Sequence, residues 1–305
     1  MRETIPLSDP RVIFLGGLGR SGTTLLERLL GELPGVVPLG EVVHLWERGV
    51  LADESCGCGR AFSVCPFWVR VGDKAFNGWT SMLAERVVAL RRRVDRTRRM
   101  ARIAHADLPE YVRAYRRVYR AAAEAAGARV VVDSSKHASL AYCLVEAGVD
   151  AHVVQVVREP RAVAHSWSKS VARPEDGRPM TRWAPLRTAV HWNAQNLALE
   201  VLARRGAPVT RIRYEDLLAA PEATLTGLAG ALGLAEFRLP FLDGTTAYLT
   251  TSHTSSGNPM RFKVGRVELA RDDAWRQGLP LHHRGLVAAL TWPLRARYGY
   301  GRATA

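Results

Sequence analysis

Lysine is scarce in this chain. Lys74, Lys136, Lys169 and Lys263 are its only lysines, and arginine supplies the rest of the 43 basic residues. The net charge of +14 invites a nucleic-acid reading. An arginine bias beside abundant alanine is, however, what GC-rich coding produces, so the charge is discounted as a sign of nucleic acid. It still favours anionic ligands. Long apolar runs are also missing, and none approaches the roughly 20 residues that a membrane-spanning helix needs. The opening text "MRETIPLSDPRVIFLGG" carries acids before a short apolar run, the pattern of a first strand and not of a secretory signal. The expectation is a soluble, cytoplasmic protein with no integral membrane segment and no nucleic-acid partner. Whether it pairs as a homodimer stays open.

Cysteine is sparse as well, with four in 305 residues. Three of them, Cys56, Cys58 and Cys65, cluster in "CGCGRAFSVCPFW", and Cys143 stands far away. C-x-C-x6-C is not a standard zinc spacing, and a disulfide needs an oxidising setting. Reduced structural thiols are the favoured reading, with a disulfide and zinc left open.

The most informative absence lies in "GGLGRSGTT", residues 16–24. A triphosphate-binding loop reads G-x-x-x-x-G-K-[ST], its lysine reaching the β- and γ-phosphates. Aligned on Gly17 and Gly22, the lysine position holds Thr23, and the nearest cation is Arg20, inside the loop. The remaining features still describe an anion nest. Glycines 16, 17, 19 and 22 free backbone N–H groups, and Thr23 and Thr24 open a helix.

What is present is an α/β rhythm, in a chain with 47% hydrophobic residues that can bury a core. Residues 11–17, 36–40, 129–133, 151–158 and 207–214 read as five short strands, with helical text at 137–147, 160–172 and 215–233. That alternation predicts one domain over residues 1–305, a parallel sheet of about five strands flanked by helices. Residues 45–128 read as a helical, arginine-rich insert, whose charged text is taken as solvated amphipathic helices. The irregular text from 234 to 280 reads as a lid or binding segment, before a last helix near 282–296.

Ligands of such sheets bind beyond the strands' C-terminal ends. The third strand ends in "VVVDSSKH", where Asp133 is either a metal-binding aspartate or a helix cap. The fourth ends in "VVREPRAVAHSWSKS", giving Arg158, a proline at a helix start, and Ser166. An arginine and a serine so placed can clamp a second phosphate.

Together these features resemble the sulfotransferases that use 3′-phosphoadenosine 5′-phosphosulfate (PAPS). That family's first loop has the form [PR]-[KR]-S-G-T-[ST], here "GRSGTT", and its second motif is Arg-x7-Ser, here Arg158 and Ser166. "RIRYEDLLAAPEATL" (211–225) looks like the family's [RL]-Y-E-D-L-x-x-x-P segment, and "SGNPMRFKVG…DDAW" is similar to the tail of many bacterial members. The arginine in the loop is closer to the carbohydrate and tyrosyl-protein branches than to the phenol-type enzymes.

The resemblance implies a P-loop-like fold and transfer of a sulfuryl group to a small-molecule hydroxyl acceptor (a sugar, lipid or natural product). The product would be adenosine 3′,5′-bisphosphate. It implies no metal, and the sequence offers no compelling metal constellation. It assigns the donor to Gly19, Arg20, Ser21, Gly22, Thr23 and Thr24 on one phosphate and to Arg158 and Ser166 on the other. Tyr214 would lie on the adenine side. Arg261, Lys263 and Gly265 loosely match a C-terminal covering loop (250–280), with a departure in spacing. Arg20 would stand beside the departing oxygen, and Lys136 would contact the transferring group. Glu41 matches the general base of tyrosyl-protein and glycan-type members, with His44, His137 and a plain helix-start acid as alternatives. Two rival readings are a nucleotide-dependent kinase and a nucleic-acid module built on 91–120.

Overall fold

The computed structural model describes residues 9–97, 100, 105–171, 177, 179–234 and 238–301. In chain order the elements begin β1 (Arg11–Gly16), α1 (Thr23–Leu30) and β2 (Val36–Gly40). A wide π-type turn (Leu45–Leu51) leads into α2 (Pro66–Phe76), α3 (Ser81–Val94) and α4 (Leu108–Ala126). The α/β rhythm resumes with β3 (Val130–Lys136), α5 (Ala138–Glu146), β4 (Ala151–Val157), α6 (Pro160–Ser168), α7 (Pro185–Arg204) and β5 (Val209–Arg213). Then come α8 (Tyr214–Ala219), α9 (Pro221–Ala231), the short strands β6 (Leu242–Asp243), β7 (Thr246–Leu249) and β8 (Gly265–Glu268), α10 (Trp275–Gly278) and α11 (Leu281–Arg297).

The five main strands form one parallel sheet in the order β2-β3-β1-β4-β5. Its central strands β3, β1 and β4 are buried on both faces, as their near-continuous apolar text requires, and the edge strand β5 is only partly covered. In β1, Val12 and Phe14 enter one core, and Ile13 and Leu15 enter the other. The first core is closed by the insert and α5; the second is closed by α1, α8 and α9. Among the described residues no helix is long and apolar enough to cross a membrane.

Four elements differ from the sequence reading. The expected helix 215–233 is two helices, broken at Ala220–Pro221, since proline begins a helix far more readily than it continues one. The expected helix 160–172 ends at Ser168, and residue 172 falls outside the described residues. The 20-residue α7 was not anticipated. It packs against α5, α6, α11, β4 and β5, so its apolar residues do not fall on one stripe. The text from 234 to 280 also holds an unexpected antiparallel sheet, β6-β7-β8.

In the insert, α4 buries Tyr111, Tyr115, Val118 and Tyr119 and turns Arg113, Arg117 and Arg120 outward. Arg86 meets Glu110 through two hydrogen bonds of 2.7 and 2.8 Å, an exposed pair of small energetic weight.

Arg28 on α1 is fully buried and fastens the segment after β7. It donates to Ser252 Oγ at 3.0 Å, to the carbonyls of Arg261 and Lys263 at 2.6 and 3.1 Å, and to the carbonyl of Thr250. The strap spanning 250–263 is thereby tied to the helix behind the glycine loop. Arg28→Ala is expected to cost about 3 kcal/mol, because buried carbonyls lose a charged donor. Thermal unfolding and limited proteolysis would check this; cleavage should begin within the strap.

Candidate active site

Each of the five parallel strands delivers a chemistry-bearing residue to one cleft of about 540 Å³ at the sheet's C-terminal edge. The glycine loop follows β1, Glu41 follows β2, Lys136 ends β3, Arg158 follows β4 and Tyr214 follows β5. This is where a parallel sheet leaves a crevice.

The loop's glycines are sterically required at two points. Gly17 has φ 142°, and a Cβ there would lie 2.5 Å from the Val156 carbonyl oxygen. Gly22 has φ 93°, and a Cβ there would lie 2.1 Å from Tyr214 Cδ2. Arg20 itself adopts φ 74°, an uncommon conformation for a residue with a side chain. Its guanidinium lies 5.5 Å from the centroid of Trp167, and Trp167 in turn donates to the Gly19 carbonyl at 2.9 Å. Burial lowers the Arg20 pKa, and Glu41 partly offsets this. Gly19, Gly22, Thr23 and Thr24 line the cleft with Arg20, whereas the Ser21 side chain is buried.

Glu41 and Lys136, 95 residues apart in sequence, form an ion pair on the cleft floor. Lys136 also has positive φ, 70°. Burial alone would raise the Glu41 carboxyl, but Lys136, with His44 and Arg48 behind it, holds it down to about 2. His44 Nε2 stands 3.6 Å from Glu41. Burial takes His44 to about 3, so its contact with Glu41 is polar and not ionic at ordinary pH. His137 occupies the cap position before α5, is also lowered by burial, and packs edge-on against His44 at 5.9 Å. Both histidines line the cleft.

Two buried acids brace this floor. Glu27 on α1 accepts from the Gly40 N–H at 2.6 Å and from Ser134 Oγ at 2.8 Å. Burial pushes it up to about 7 against those hydrogen bonds. Asp133 accepts from Tyr119 at 2.6 Å and from the Ser135 N–H at 2.8 Å, and burial raises it to about 6. With no exposure to the cleft, Asp133 is placed as an internal brace and not as a metal ligand.

At the other end of the cleft, Arg158 donates to the Arg20 carbonyl at 3.0 Å and pairs with Asp272 at 2.9 Å. Its guanidinium lies 4.7 Å from the centroid of Tyr214. Ser166 lines the same wall from α6.

A profile of the sulfotransferase family matches residues 10–238. The chain belongs to the sulfotransferase family. Sulfuryl transfer from PAPS is the activity that membership carries. No curated protein matches the chain. Among solved structures, sulfotransferase STF1 from Mycobacterium tuberculosis H37Rv is similar at 19% identity, over 75% of this chain and 69% of that one, with a TM-score of 0.42. Sulfotransferase STF9 from Mycobacterium avium is similar at 14% identity, over 75% of this chain and 64% of that one, with a TM-score of 0.40.

In this sulfotransferase the three donor-site residues expected from the C-terminal loop do not line the cleft. Arg261 is buried, its guanidinium over the Phe262 ring, and Lys263 and Gly265 are exposed outside the cleft. The strap reaches the cleft instead through Gly257, Asn258 and Met260. Its Ser255 pairs with the end of β2, accepting from the Glu41 N–H at 3.0 Å and donating to the Leu39 carbonyl at 2.8 Å. Sequence reasoning also missed Glu27, Asp272 and an aromatic wall of Trp167 stacked on Trp183 at 4.0 Å. A polar Glu27–Arg28 pair within the otherwise apolar "TTLLERLL" was the available signal for the first of these.

Gly22→Ala should lower affinity for adenosine 3′,5′-bisphosphate by roughly 100-fold, equivalent to about 2.7 kcal/mol. The new methyl meets the Tyr214 ring in a backbone conformation that disfavours any side chain. Titration calorimetry would measure it.

Proposed function

We propose that this sulfotransferase moves the sulfuryl group of PAPS onto a hydroxyl of a small-molecule acceptor (a sugar, lipid or natural product) by in-line displacement. The observation carrying the reading is the Glu41–Lys136 pair, which shares one cleft with Arg20 and the glycine nest. The nest amides and the hydroxyls of Thr23 and Thr24 would hold the 5′-phosphate. Arg158 and Ser166 would hold the 3′-phosphate, Arg158 exchanging Asp272 for it, with Tyr214 beside the adenosine. A bond forms between the acceptor oxygen and sulfur as the bond from sulfur to the 5′-phosphate oxygen breaks. Arg20 stabilises the charge that grows on that departing oxygen. The acceptor proton passes to Glu41.

The depressed Glu41 pKa gives this scheme a built-in order. Paired with Lys136, the carboxylate is a weak base. Once Lys136 turns toward the sulfuryl oxygens, the pull on Glu41 weakens and burial raises its proton affinity. Base strength thus rises when the donor is in place, which disfavours idle proton uptake.

Transfer of labelled sulfate from PAPS across a panel of sugars, lipids and natural products tests the activity. Glu41→Gln should keep bisphosphate affinity and lose about 1,000-fold in turnover; near-normal turnover removes Glu41 as the base. A second expectation concerns pH. In the free enzyme a carboxylate held near 2 is ionised throughout the working range, so kcat/KM for PAPS should show no acidic limb from Glu41 above about pH 4. Lys136→Met removes the strongest downward influence and leaves burial, so the limb should rise by about one unit or more. An unmoved limb in that variant would break the coupling between the two residues.

A further inference from the structure

We propose that Cys56, Cys58, Cys65 and His253 bind one Zn²⁺ ion in a tetrahedral Cys₃His site that fastens the helical insert to the strap beside Glu41. The ligand atoms of all four residues lie within 4.8 Å of one another. Cys65 Sγ is 3.6 Å from Cys56 Sγ and 3.8 Å from Cys58 Sγ. His253 Nδ1 is 3.3 Å from Cys65 Sγ and 3.8 Å from Cys56 Sγ. Zinc bonds of about 2.3 Å to sulfur and about 2.0 Å to nitrogen give tetrahedral edges of about 3.8 Å between sulfurs and about 3.5 Å from sulfur to nitrogen. The four separations given are close to those edges. They are far from the roughly 2.05 Å of a disulfide, and pairing two thiols would leave a third thiol and an imidazole facing the bond for no purpose.

The local chain is shaped for such a site. The Gly59 N–H donates to the Cys56 carbonyl at 2.8 Å and the Cys56 N–H to the Arg60 carbonyl at 2.8 Å, which folds C-G-C-G into a tight knuckle. Gly59 supplies the positive φ, 83°, that the turn needs. Gly57 lets the strap approach: its N–H donates to the Thr254 carbonyl at 2.9 Å, and a Cβ there would lie 2.6 Å from Thr254 Oγ1. Cys65 precedes α2, and Phe67 on that helix stacks on the His253 ring at 5.2 Å and 15°. That stacking fixes the ring plane while Nδ1 faces the thiols. Cys56 and Cys65 are buried, and Cys58 and His253 are half-buried. The fourth ligand arrives 188 residues after Cys65, so no local spacing marks the full set.

None of the four residues lines the reaction cleft, so the ion is structural and the chemistry stays with Glu41 and its neighbours. Its reach is nevertheless short in sequence. His253 is two residues before Ser255, which pairs with the backbone of Glu41, and Gly257 abuts the Glu41 carboxylate. An ion at the cluster would therefore limit movement of the strap where it borders the base.

Metal analysis of the purified full chain, kept reduced, should find about one zinc per chain. Cys58→Ser changes a half-buried position and should reduce that content at least tenfold with the fold retained by circular dichroism. His253→Cys supplies a fourth thiolate and should keep the metal. Cobalt replacement should give tetrahedral d–d bands with thiolate charge transfer in the wild type, stronger charge transfer in His253→Cys, and a melting temperature that falls on chelation. Absence of bound metal in reduced protein supplied with Zn²⁺, unchanged content in Cys58→Ser, or octahedral cobalt spectra would each overturn the proposal. So would a mass measurement after alkylation that shows two of the three thiols already joined.

Discussion

The carboxyl of Glu27 holds three parts of the chain at one point. It projects from α1, the helix opened by the glycine loop, and takes hydrogen bonds from the end of β2 at Gly40 and the end of β3 at Ser134. The next residue after Gly40 is Glu41, and two residues after Ser134 is Lys136. The glycine loop, Glu41 and Lys136 are therefore tied together through one buried acid. Its pKa, raised to about 7 by burial, exceeds that of an unfolded glutamate, so its favourable contribution is full at acidic pH and fades as pH rises through 7. Its two oxygens accept from the two strand ends separately, Oε1 from Gly40 and Oε2 from Ser134.

Around that brace the site keeps several residues in conformations that local preference resists. Arg20 and Lys136 both have positive φ, and both line the cleft. Strain of roughly 1–3 kcal/mol for such a residue persists only where the surroundings over-determine it. Here Trp167 and Arg158 fix the loop through the Gly19 and Arg20 carbonyls, and the Gly17 N–H ties the loop to the Lys136 carbonyl at 3.1 Å. The cleft is held ready in geometry, and its charges are paired with one another: Glu41 with Lys136, Arg158 with Asp272. In the proposed scheme an anionic donor would replace protein pairs with protein–donor pairs, which lowers the cost of desolvating bare charges.

The strap meets both the sheet and the insert beside this arrangement. Arg28 anchors the strap from behind, β2 pairs with it at Ser255, and the thiol cluster meets it at His253. Three attachments of different chemistry converge on about a dozen residues next to Glu41, so the irregular strap takes its place there from the helices and strand it is tied to.

Much of the sheet could be read from the chain alone, since a buried parallel strand is a local apolar run and its end is marked by glycine, aspartate or arginine. The five strands, the loop with Arg20, and the strand-end positions of Glu41, Lys136 and Arg158 followed from such runs. The family followed from motifs in the same places. Tertiary structure alone decided what those residues do to one another. The Glu41–Lys136 pair, the grip of Arg28 on the strap, the burial of Arg261 and the arrival of His253 at three cysteines each join segments far apart in sequence. No local pattern encodes them, because hydrogen bonds and ion pairs depend on distance in space, and only the folded sheet brings those side chains within reach.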